Sequence, residues 1–204
     1  MRVFFLAFAL LTTLLVMPAR VEARSDDSSP TNWSDEDYSL YPAFCRARLL
    51  HEPKELEAYW IRQFGSKNYI HMHHFCFGLK ALSLAYANLQ DASRRASLAG
   101  AAIDNFGYVV EHTEHDFYMR SEALVNLGRG YILKKEYEMA KRKFDAALKL
   151  NPKSVDAWVA LSDMYYQNGQ RSDALEVLEK AREEAGDHKK ILLRIDTIKT
   201  DGRK

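Results

Sequence analysis

The sequence predicts an all-α protein built from stacked helical pairs, and three observations carry the prediction. From residue 53 onward apolar side chains recur at three- and four-residue spacing, the period of a helix with one buried face. In the second half, one pattern of large and small apolar positions returns after about 34 residues. Gly65, Pro152 and Gly186 fall where these helical stretches end, as helix-terminating residues do.

The repeat is clearest from Ser121. In the first unit, residues 121–154, Leu124, Leu127, Gly128 and Tyr131 mark a helix A, and Tyr137, Ala140, Phe144, Ala147 and Leu148 mark a helix B that Pro152 ends. In the second unit, residues 155–187, Trp158, Leu161, Ser162 and Tyr165 take the same places, followed by Ala174, Leu178 and Ala181. Small residues at Gly128, Ser162, Ala140 and Ala174 allow two antiparallel helices to approach closely. Tyr131, Tyr165, Phe144 and Leu178 then fill the space between neighbouring pairs. Each pair leaves one face uncovered, so such an array needs a neighbour on each side and a cap at its end. Ile191, Ile195 and Ile198 lie on one stripe among charged residues, which predicts a capping helix over residues 188–200. Upstream, residues 69–118 predict a longer helical pair, His71–Leu89 and Ala92–His112. Its Ala102, Phe106 and Val109 follow the spacing of a helix B.

The N-terminal part reads differently. Arg2 precedes an apolar run through Met17, Pro18 breaks it, and Val21-Glu22-Ala23 offers small residues to a signal peptidase, so residues 1–23 are expected to be a signal peptide and the protein to be exported. The run is short for a membrane span, and no membrane insertion is expected after cleavage. Residues 24–40 are rich in Ser, Asp and Glu, a composition expected to be disordered. Residues 41–68 predict an aromatic loop, Tyr41 to Cys45, and then a helix opened by Pro53 and closed by Gly65.

Charge and cysteine usage narrow the function. Loss of Arg2, Arg20 and Glu22 with the leader leaves equal numbers of basic and acidic side chains, so nothing draws the chain toward nucleic acid or anionic lipid. Cys45 and Cys76, both in the exported part, are expected to form a structural disulfide in an oxidising compartment. Asn32-Trp33-Ser34 fits a glycosylation acceptor, a pattern common by chance.

The repeated residues resemble the tetratricopeptide repeat family over about residues 121–186. The resemblance implies a right-handed superhelix whose helix A row lines a concave groove, and protein or peptide recognition in that groove. Offsets from the buried Leu127/Tyr131 stripe select Val125, Arg129 and Ile132 in one unit and Val159, Asp163 and Tyr166 in the next as groove residues. A segment from His71 to Leu79 is similar to one in exported tetratricopeptide proteins of proteobacteria, which implies the periplasm.

Other chemistry is sparse. His71 and His74 share one helical face, and His73 and Cys76 share another. Together they could hold zinc or copper if Cys76 stayed a thiolate, which makes a metal-binding or redox accessory protein the alternative to a scaffold. The disulfide and the metal site compete for the same sulfur. Gly128-Arg129-Gly130 lacks the strand and further glycine of a phosphate loop, and no serine sits in a nucleophile elbow. The sequence therefore predicts a non-catalytic protein with no cofactor.

Overall fold

The structure, a computed structural model, describes residues 31–201. The expected signal peptide, residues 1–23, and the start of the leader lie outside the described residues. Eleven helices and no strands occur among the described residues. They are α1 (Asp35–Leu40), α2 (Ala43–Leu50), α3 (Lys54–Phe64), α4 (Ser66–Tyr69), α5 (Met72–Ala87), α6 (Ala92–His112), α7 (Arg120–Leu133), α8 (Tyr137–Leu150), α9 (Val155–Gln167), α10 (Arg171–Ala185) and α11 (Lys189–Asp201).

Helices α5/α6, α7/α8 and α9/α10 pack as consecutive pairs. One device locks each pair, and it follows from residue size. A Cβ built on Gly128 would fall on the Phe144 ring, 2.8 Å from its Cζ, and one on Gly78 would fall 2.9 Å from the Phe106 ring. Only a bare backbone lets the aromatic ring of helix B lie against helix A. In the third pair, Ser162 faces a smaller Leu178, and its hydroxyl donates to the Ala174 carbonyl at 2.9 Å. The three helix B triads, Ala102/Phe106/Val109, Ala140/Phe144/Ala147 and Ala174/Leu178/Ala181, are all 0% exposed. Thus α5/α6 is built like the later pairs but with longer helices, of 16 and 21 residues against 14 and 14 in α7/α8. Gly130 seats the pairs on one another, because a Cβ there would meet Ile103 of α6 at 2.8 Å.

The capping helix belongs to the same series. Ile191, Ile195 and Ile198 of α11 are buried where, one period of about 34 residues earlier, Ala157, Leu161 and Met164 of α9 are buried. Helix α11 is therefore helix A of a further unit. Asp196 and Lys199 stand in it where α9 has Ser162 and Tyr165, so the face that would receive a helix B is polar, as on a capping helix.

Two expectations about the N-terminal segment are corrected. Residues 35–40, assigned to the disordered leader, form α1, and Cys45 lies in α2 rather than in a loop. Local capping starts α1: the Asp37 amide donates to Ser34 Oγ at 3.3 Å, and the Ser34 amide donates to Asp37 Oδ2 at 2.7 Å, a reciprocal capping box. Tertiary contacts hold it. Lys80 of α5, only 3% exposed, pairs with Asp37 at 2.9 Å, donates to the Asn32 carbonyl and lies over the Trp33 ring. The expected disulfide joins Cys45 of α2 to Cys76 of α5, with Cα atoms 5.6 Å apart. These contacts place α1 and α2 on the Cys76/Lys80 face of α5, where they cover the first end of the array. Among the described residues no helix is long and apolar enough to cross a membrane.

Candidate functional site

Helices α5, α7, α9 and α11 lie side by side as the helix A row. The row carries a groove over α7, bounded by Leu79 of α5 on one side and by the α8–α9 turn and the start of α9 on the other. Leu79 of α5 and Val125 of α7 form its apolar floor. Tyr118 stands at one end, and Glu122, Asn126 and Arg129 line the α7 side, with Ser154 and Asp156 opposite.

The six groove residues expected from the repeat register divide unevenly. Val125 and Ile132 are 2% and 6% exposed and pack into the core, so Ile132 offers no contact area and Val125 only a floor. Val159 is half-buried and packs against the same core. Asp163 pairs with Arg194 of α11 at 2.5 Å. Tyr166 donates to Asp201 and lies under the Arg194 guanidinium, 4.9 Å from its ring centre. The positions expected to be open on α9 are thus occupied by α11, because the period continues one helix further. Arg129 is half-buried and donates to Asn126 Oδ1 at 2.8 Å; it does not pair with Asp163.

The groove residues that the repeat register missed are Leu79, Tyr118 and Glu122, and Tyr86 lies seven residues beyond Leu79 on the same face of α5. Glu122 lies three residues before Val125 and seven before Arg129, so extending the stripe toward the start of α7 finds it. The tyrosines carry no such signal, since their exposure, 44% for Tyr86 and 62% for Tyr118, depends on which helices meet there. The enclosing groove pushes the Glu122 carboxyl above the ordinary glutamate value, the Asp156 charge adds to this, and Arg129 opposes it. Burial likewise raises Tyr86, with Arg129 opposing. Burial also raises Tyr118, with Tyr59 and Glu122 adding.

The histidine cluster does not assemble a metal centre. Cys76 is oxidised and fully buried, which removes the thiolate the alternative required. The His74 ring stacks on Tyr108, and Tyr108 stacks on His112, at 3.8 Å each, so a tyrosine ring separates two of the imidazoles. His74 Nδ1 lies 2.8 Å from Asn105 Oδ1, and His73 Nδ1 lies 2.9 Å from the Ile70 carbonyl. Burial, with the nearby His74 and Arg48, pushes His73 down to about 4. Among the described residues no three His, Cys, Asp or Glu side chains are placed to share a metal ion.

A family model of the tetratricopeptide repeat matches residues 131–192, from the last turn of α7 through α8, α9 and α10 to the start of α11. No curated protein matches the chain.

Proposed function

We propose, on the match of residues 131–192 to the tetratricopeptide repeat family, that the protein is a non-catalytic adaptor that binds a segment of another protein in the groove over α7. One observation carries the proposal. The α9/α11 half of the row satisfies its own charges, Asp163 with Arg194 at 2.5 Å and Asp156 with Lys190 at 2.8 Å. On α7, Glu122 has no ion pair among the described residues and lines the groove with the exposed Tyr118. Tyrosine and arginine are the side chains that most often anchor protein interfaces, and an uncompensated carboxylate in a groove favours a ligand that neutralises it.

The ligand is an internal segment rather than a free C-terminus, because Arg129 is a single cation already tied to Asn126 and a carboxylate clamp needs several donors. The adaptor acts outside the cytoplasm, in the bacterial periplasm, as a scaffold for envelope or export machinery. The leader-like first 23 residues support that location, as does the disulfide, which persists in oxidising compartments. Nucleic acid is not its ligand, given the balanced charge.

The test is affinity recovery from a native envelope extract with the intact protein and the Tyr118→Ala/Arg129→Ala variant, both checked for unchanged thermal unfolding. The proposal expects a defined set of proteins recovered by the first and lost from the second. Equal recovery by a normally folded variant overturns it.

A further inference from the structure

Helix α7 presents a fixed series of groups to the groove. Glu122 and Arg129 are seven residues apart, nearly two turns, so they share a face and stand about 10.5 Å apart along the axis. Between them Val125 closes the floor with Leu79 of α5. Tyr118 lines the groove with Glu122, and Tyr86, seven residues after Leu79, lies on the same face of α5. Neither charge forms an ion pair within the described residues, although Arg129 acts on Glu122 from two turns away. Arg129 donates to a neutral amide, and the charge Glu122 meets across the groove is Asp156, which is held by Lys190.

Resting on the assignment of this groove to protein binding, we infer that its occupant is an amphipathic helix of the partner, antiparallel to α7. It bears an acidic residue, an apolar residue three or four positions later and a basic residue seven positions later. The spacing selects the helix. Positions i and i+7 of an α-helix return to one face about 10.5 Å apart, which matches the Glu122–Arg129 interval, and the apolar residue between them meets Val125 and Leu79. A strand brings same-face residues around at about 6.7 Å or 13.4 Å, so it satisfies one charge and misses the other by about 3 Å.

Charge order sets the direction. Along α7 the acid precedes the base. A helix that runs the other way places its own acid against Arg129 and its base against Glu122. That order, acid before base, is the one the helix dipole favours within the ligand itself. The site is also short. Beyond α7 the row is closed by the ion pairs of α11, so the ligand engages two to three turns.

The experiment pans the full chain against a phage-displayed library of helix-constrained peptides. It then measures fluorescence anisotropy of selected peptides on the intact protein, on Glu122→Lys, on Arg129→Glu and on the double reversal. The expected selection carries Asp or Glu seven positions before Lys or Arg with an apolar residue between. Each single reversal should weaken binding about tenfold, as expected of like charges set against each other. The double reversal should bind the peptide with its two charges exchanged at close to the original affinity. Selected peptides that lose binding on Tyr118→Ala yet lack the charge pair, or bind in extended form, overturn the helix inference and leave the groove assignment standing. Peptides indifferent to every groove substitution, or a library that yields no binder, count against both.

Discussion

Arg194 of α11 closes to 2.5 Å on Asp163 of α9 and lays its guanidinium over Tyr166, so the last of the described helices covers the face that α9 would otherwise expose. Asp163 is held above the ordinary aspartate value by burial, although Arg194 pulls the other way. The pair therefore serves mainly to seal the end of the row. Arg194→Ala should destabilise the protein modestly, by about 1 kcal/mol, the upper range for a partly exposed pair. It should also increase hydrogen exchange in α11 with little change in α7. Equal loosening of both helices would contradict the sealing role.

Size dictates a second outcome. Leucine at Gly128 has nowhere to go except into the Phe144 ring, and overpacking of this kind costs about 1 to 3 kcal/mol or more. Gly128→Leu should lower the melting temperature by several degrees or prevent folding. Gly100 in α6 has nothing within 4 Å of a would-be Cβ, so Gly100→Ala should stabilise by about 0.5 to 1 kcal/mol through helix propensity. Opposite signs for the two substitutions are the expected signature in thermal unfolding.

The N-terminal segment is held by a covalent tie and an ion pair. Removing the disulfide with Cys45→Ala/Cys76→Ala should cost about 3 to 4 kcal/mol by the loop-closure estimate. Exchange protection should fall in α1 and α2 and persist in α7 to α10. For Lys80→Met, loss of a buried partner leaves Asp37 uncompensated and should cost about 3 kcal/mol.

Acid should act at the same place. Burial pushes Asp37 up, but the Ser34 amide and Lys80 outweigh it and hold it below 3.8 overall. Its contribution is present above the unfolded value and is lost as pH falls through the depressed folded one. Acid below about pH 4 should therefore release α1 first.

Glu122 titrates with the opposite sign. Its folded value is raised, chiefly by the enclosing groove, so its contribution is greatest below the unfolded value of 4.5 and is lost as pH rises through the folded one. Relative to Glu122→Gln, the native protein should lose stability as pH rises above the unfolded value of 4.5. Water reaches this side chain, so the change should stay within about 0.5 kcal/mol. Parallel curves for the two proteins would show that the groove does not strain this carboxylate.

Most of the helical architecture was legible because size and period determine it. Gly128, Phe144 and Ala140 recur as Ser162, Leu178 and Ala174, and close packing leaves those positions little freedom. The disulfide was legible from two cysteines in a chain that begins like a secreted one. The order in residues 31–45 was not, since an acidic, serine-rich stretch is held by Lys80, a residue whose burial depends on the fold itself. The groove was half legible. Of the positions that repeat register selects, Arg129 lines the groove, whereas Asp163 and Tyr166 are covered by α11, which continues the period one helix further. Tyr86 and Tyr118 became visible only once α5, α6 and α7 were assembled.

The groove assignment is tested most directly by site-specific photo-crosslinking in living cells, with a benzophenone amino acid placed at Tyr118 or Tyr86 in the groove and at the exposed Arg142 on α8. Discrete higher-mass adducts are expected from positions 118 and 86, disappearing when Arg129→Ala is introduced, and none from position 142. Adducts from position 142 alone, or adducts at 118 that persist unchanged in the Arg129→Ala background, would contradict the groove assignment.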